Sequence, residues 1–121
     1  MATPVVKLDG VFEAVLGVVL VGGVAAGRLG SGDFPHPVGT PAIVIVGCAL
    51  VLVGALLWRS SPTTGFLRGL AAGNLATALA AVVWLSAAHG FSTRGSALML
   101  VTVAALIGLA AAQLLSARSV A

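Results

Sequence analysis

Four apolar stretches account for nearly the whole chain: Val11 to Gly27, Pro41 to Trp58, Gly69 to Ala88 and Ser96 to Ser116. At ~1.5 Å of rise per residue, each is at or near the length that carries a helix across ~30 Å of hydrocarbon. Only short polar joints separate them. A backbone in lipid must satisfy its own N–H and C=O groups, and a continuous helix does so within one segment. The chain is therefore expected to be an all-α integral membrane protein. Its expected form is an antiparallel bundle of four transmembrane helices in a single domain over residues 1–121, with helices near 4–27, 41–58, 62–89 and 93–117.

Composition excludes several alternatives. Charged residues make up 7% of the chain, against ~25% in soluble domains, too few to clothe a water-facing surface. Six basic residues outnumber three acidic ones, which raises the question of nucleic acid. Lys7, Arg28, Arg59, Arg68, Arg94 and Arg118 are scattered through the joints and form no stripe that could track phosphates, so no nucleic-acid partner is expected. They suit interfacial anchors. The lone Cys48 makes neither a disulfide framework nor a metal cluster. Asp33, His36 and His89 lie in joints without ligand spacing, so neither a metal nor a cofactor is expected. With no nucleophile–base pair and no phosphate loop, the chain does not read as an enzyme. Lys7 ahead of an apolar run ending Val24-Ala25-Ala26-Gly27 has the outline of a secretion signal, but Glu13 interrupts that run, which reads as a retained first span.

Helix starts are marked by a hydroxyl residue before proline at Thr3-Pro4, Thr40-Pro41 and Ser61-Pro62, and by Ser92 or Thr93 for the fourth helix. The joint from Leu29 to Thr40, with Gly30, Gly32, Pro35, Pro37 and Gly39, reads as a loop. The other two joints are short, which makes sequential helices antiparallel neighbours. Four spans put both termini on one side. That side holds Lys7, Arg59, Arg68 and Arg118, against Arg28 and Arg94 on the other. The excess of positive charge predicts a multi-pass protein of the cell (inner) membrane with cytoplasmic N- and C-termini.

A faint repeat raises the idea of a duplicated helical hairpin. Ala55-Leu56-Leu57 with Arg59-Ser60 echoes Gln113-Leu114-Leu115 with Arg118-Ser119, and Glu13 corresponds roughly to Asn74. Small residues recur every fourth position at Gly69, Gly73, Thr77 and Ala81, and at Ala104, Gly108, Ala112 and Ser116. Such ridges let helices approach closely, either inside one bundle or between copies. Beyond the lipid bilayer, the expected partners are a second copy of the chain or a larger membrane complex.

Glu13 is the one acid within an apolar stretch. Acids at such positions usually face the bundle, pair, or line a wet path, so it is a candidate proton carrier. Alternatively it sits at headgroup level with Lys7 and Asp9 and caps the first helix electrostatically. Glu13, Asn74 and Gln113 fall at one level, with Arg68 at the rim, and form a candidate intramembrane polar cluster. The stretch Glu13-Ala14-Val15-Leu16-Gly17, with the chain's length and four spans, resembles the small multidrug resistance transporters, which implies proton-for-cation exchange at Glu13. The third helix departs from that family: it reads Gly-Leu-Ala-Ala-Gly-Asn-Leu-Ala-Thr where the family has aromatic residues and a Gly-x-Gly bend. Gly22-Gly23 with Arg28 resembles the first helix of the small fluoride channels, though the spacing differs and the second helix lacks asparagine. Few polar groups lie along the middle of the spans beyond Cys48, Thr77, Ser86 and Thr102. The expected function is that of a non-catalytic structural, accessory or binding module in the membrane. The alternative is a proton-coupled small-molecule transporter using Glu13.

Overall fold

The structure is a computed structural model and describes residues 2–36, 38–61 and 63–120. Four helices follow one another, α1 (Ala2–Ala25), α2 (Thr40–Arg59), α3 (Thr64–Ala87) and α4 (Thr93–Val120). One 3-10 turn at Ser31–Asp33 lies in the first joint, and no strand occurs among the described residues. All four helices are long and apolar enough to cross a membrane.

The helix ends obey local chemistry, with shifts from the expected boundaries. α1 already runs from Ala2, upstream of the Thr3-Pro4 pair. It stops at Gly27, whose φ of 73° few other residues adopt. There the Arg28 N–H reaches the Gly23 carbonyl (2.7 Å) and the Gly27 N–H reaches the Val24 carbonyl (3.1 Å), the bond pair of a Schellman end. α2 is capped by Gly39 and not by Thr40, which is already helical, and a proline occupies its first turn. Of the Ser61-Pro62 pair expected to open α3, Pro62 lies outside the described residues, as does Pro37. The cap is Thr63, whose Oγ1 accepts from the Phe66 N–H at 3.1 Å. Ser92 caps α4, accepting from the Gly95 N–H at 2.9 Å.

The bundle is two hairpins. α1 packs along α2 and α3 along α4, and the hairpins meet through a narrower α1–α4 seam. Within the first hairpin the two backbones touch. A Cβ on Gly17 would stand 2.4 Å from the Gly47 carbonyl oxygen, and one on Gly54 would stand 2.5 Å from that of Gly10. Glycine is required because no side chain fits there. The second hairpin closes on alanine and larger residues, with Ala78 and Ala81 against Val103 and Leu106.

The packing is polar inside and apolar outside. Asp9, Asn74, Gln113 and Ser116 are buried, while Val18, Ile45, Leu52, Leu79, Val101 and Leu115 are each more than half exposed. Charge collects at the ends. Val6, Leu57, Leu67 and Ala117 form one core cluster, which gathers the neighbouring Lys7, Arg59, Arg68 and Arg118 to one end of the bundle. At the other end Arg94 donates from Nη1 to the Arg28 carbonyl.

Candidate functional site

Among the described residues, the one acidic or basic side chain buried in the core is Asp9, fully enclosed between the hairpins. It comes from α1, and its partners come from the other hairpin. Asn74 of α3 donates from Nδ2 to Asp9 Oδ2 (3.1 Å) and to Gln113 Oε1 (3.0 Å). Gln113 of α4 donates from Nε2 to the same Asp9 oxygen. Each amide is thus held by the other and by the acid, while Asp9 Oδ1 is buried without a partner.

One turn beyond Asp9 on the same helix face, Glu13 lines a cavity of about 490 Å³. All four helices contribute to it: Phe12, Leu16 and Leu20 from α1, Ile43, Val46 and Leu50 from α2, Thr77 and Trp84 from α3, and Leu98, Met99 and Leu106 from α4. Asn74 belongs both to the wall and to the buried trio. The carboxyl and amide groups therefore collect on the side nearer Asp9, and apart from Thr77 and Thr102 the rest of the wall is apolar. Away from them two aromatic rings, Phe34 and Trp84, line the cavity, with Phe91 packed behind them. Phe34 stacks on Trp84 with ring centroids 6.5 Å apart, and Phe91 meets Trp84 edge-on at 4.8 Å.

Phe34 is delivered by the first joint, which is tied to the start of α4. The Ser92 hydroxyl donates to Asp33 Oδ1 (2.5 Å), the Gly30 N–H donates to Asp33 Oδ2 (3.0 Å), and the Ser92 N–H donates to the Asp33 carbonyl (3.2 Å). The joint lies so close to α4 that a Cβ on Gly95 would collide with the Asp33 carbonyl. The Ser92 hydrogen bond holds the Asp33 carboxyl below the usual carboxylate range; desolvation opposes it, and the Gly30 N–H and the nearby Arg94 charge add smaller lowering contributions. A carboxyl depressed by folding stabilises the folded form above its unfolded value of ~3.9 and loses that contribution as pH falls through the folded value. Acidification below pH ~4 is therefore expected to release this joint from α4, seen as faster amide exchange at Gly30 and Ser92. In Asp33→Asn the exchange should be flat over the same range. An acid transition that persists in that variant would remove Asp33 from the account.

The residues singled out in the sequence separate into three groups. Asn74 and Gln113 are joined by hydrogen bonds, Glu13 stands beside them at the cavity, and Arg68 is exposed with no bond to the trio. The acid inside the cluster is Asp9, assigned from sequence to the headgroup level beside Lys7. Lys7 does reach the rim, where its ammonium donates to the Trp58 carbonyl (2.9 Å) and lies 4.1 Å from that indole ring. Of the small-residue ridges, Ala81 and Ser116 are buried and Ala112 is half-buried, Thr77 lines the cavity, and Gly69, Gly73, Ala104 and Gly108 face outward. Nothing lies within 4 Å of a Cβ placed on Gly69, Gly73 or Gly108. Cys48 is exposed on α2. Asp33, His36 and His89 do not come together as ligands, and no group of three His, Cys, Asp or Glu side chains that could hold a metal occurs among the described residues.

No family model, curated protein or solved structure matches the chain.

Proposed function

We propose that this chain is a four-span integral membrane protein that binds a small amphipathic molecule between its two hairpins and carries out no chemistry on it. The cavity carries this reading: about 490 Å³ falls within the ~300–1,000 Å³ typical of small-molecule sites. Apolar walls from all four helices would take an aliphatic or aromatic body. Glu13 and the Asn74 amide would receive a head group that donates hydrogen bonds or carries positive charge, and two acids one turn apart disfavour an anionic head. Insertion in a membrane is supported by the large apolar side chains on the outer faces and by polar groups confined to the interior.

A single-tryptophan protein, Trp58→Phe, leaves Trp84 in the cavity wall as the reporter. Decylamine and decanol, added to the protein in lipid nanodiscs, should change its emission saturably, whereas decanoate should bind at least tenfold more weakly. Filling the cavity with Met99→Trp, read by calorimetry, should remove the binding. Equal responses to all three head groups, or binding that survives the filled cavity, would defeat the reading.

The charge at the two ends supports cytoplasmic termini, with Lys7, Arg59, Arg68 and Arg118 inside. In a Cys48→Ser background, a membrane-impermeant thiol reagent applied outside should label a cysteine at Ser31 and not one at Thr63. The reverse pattern would invert the orientation. The outward glycines of α3 and α4 leave room for a second copy or a larger partner, and the particle mass in mild detergent checks that association.

The second reading, a proton-coupled transporter, is favoured by one observation: Glu13 faces the cavity and not a fixed partner. In liposomes with an imposed pH gradient, transport of an organic cation that Glu13→Gln eliminates would select it over simple binding.

A further inference from the structure

The four helices pack as a row and not as a closed ring. α2 lies along α1, α1 meets α4 and α4 lies along α3, whereas among the described residues α2 and α3 do not pack along each other. All four nevertheless line the cavity, so the row bends into an arc whose free edges, α2 and α3, face each other across it. The lining residues on those edges mark an opening. Val46 of α2 is 51% exposed and Thr77 of α3 is exposed too, although both belong to the cavity wall. The two ends of the cavity are shut. Towards the basic end lie the buried Asp9, Asn74 and Gln113 and the core cluster around Leu57 and Leu67. At the other end the buried Phe34 is held against the cavity by the bond between Asp33 and Ser92.

In the four-span arrangement proposed above, that side opening faces hydrocarbon and the shut ends face water. Its lips offer no free donor, because the Thr77 hydroxyl donates to the Gly73 carbonyl of its own helix (2.8 Å) and valine has no polar side-chain atom. An apolar slot left empty forfeits the dispersion contacts of its walls, and an alkyl chain restores them. A charged group, by contrast, is costly to carry through hydrocarbon. We infer that the cavity fills sideways from the bilayer, through the gap between α2 and α3, with a single-chain amphiphile whose head group passes uncharged. The chain lies against Leu16, Leu50 and Leu106, and the head meets Glu13 and Asn74 on the far wall. This rests on the binding reading above and adds to it the route and the class of ligand.

Decanol is the probe, and Trp84 in a Trp58→Phe/Cys48→Ser protein in lipid nanodiscs is the reporter. Ala49→Cys and Ala80→Cys place one exposed thiol on each edge of the gap, outside the cavity wall, to be tied by a short bifunctional maleimide. Untied, this protein should respond to decanol as its parent does. Tied while empty, it should lose the response. Tied while loaded, it should keep the changed emission after an excess of empty vesicles has drawn the free decanol away. If that pair does not fold, Val53→Cys with Gly73→Cys, also exposed on the two edges, carries the same comparison. A disulfide between Asp33→Cys and Ser92→Cys pins the water-facing end instead, and that protein should still take up and release decanol. Exchange that continues in the tied protein, or stops only when the loop is pinned, overturns the lateral route while the binding reading stands. No response in the untied parent ends the binding reading itself, and the route with it.

Discussion

Gly17→Ala is expected to be among the most damaging single-methyl additions in this protein. The added carbon would stand 2.4 Å from the Gly47 carbonyl oxygen and 2.9 Å from the Val51 backbone nitrogen. Neither neighbour is a flexible side-chain tip, so α1 must move away from α2 along its length. Overpacking of this kind costs about 1–3 kcal/mol, and Gly17→Leu should exceed that range. Gly73→Ala is the internal control, because a Cβ there meets nothing within 4 Å and alanine favours helix by up to ~1 kcal/mol. SDS titration of the detergent-solubilised protein, followed by helix content, should show earlier unfolding for Gly17→Ala and none for Gly73→Ala. Equal resistance in both would mean that the first hairpin is not held by backbone contact.

Asn74→Leu should have a comparable effect by a different route. It removes one donor from Asp9 and another from Gln113, and leaves a fully buried acid with a single amide. Hydrogen bonds inside membrane proteins average only ~0.6 kcal/mol each. The larger part of the loss comes from acceptors left without a partner, at about 1–3 kcal/mol each. Asn74→Asp is the informative companion, since it keeps the shape but adds a third carboxyl beside Asp9 and Glu13. Its melting temperature should fall below that of the wild type at neutral pH, as should that of Asn74→Leu. A Leu variant as stable as the wild type would make the trio energetically idle.

The sequence announced the four helices because apolar length is read residue by residue and needs no knowledge of neighbours. The joint signals worked where the cap is local, as at Ser92, and slipped where a second hydroxyl stood nearby, as from Ser61 to Thr63. The interior was less legible for a geometric reason. Asp9 follows Lys7 by two residues, and helical positions two apart point ~200° from each other, so one reaches the rim while the other enters the core. The face Val6–Asp9–Glu13–Gly17–Leu20 carried the signal, at the spacing of a buried stripe. The same applies to glycine. The every-fourth ridge on α3 looked like packing and faces outward, while the contacts that need glycine use the seven-residue spacing of Gly10 with Gly17 and Gly47 with Gly54. The aromatic cluster at the cavity joins Phe34 of the first joint to Trp84 and Phe91 near the third, a pairing that only the tertiary fold makes.

Asp9 and the last of its partners, Gln113, are 104 positions apart. During synthesis the acid therefore emerges 104 residues ahead of the amide that completes its surroundings. The first hairpin cannot satisfy that acid by itself, and the second carries two amides with one acceptor missing. Apolar faces in lipid discriminate poorly between neighbours, whereas an acid that only two particular amides can solvate does discriminate. The trio thus joins the two hairpins through three particular side chains, each of which finds all its partners only once both hairpins are present.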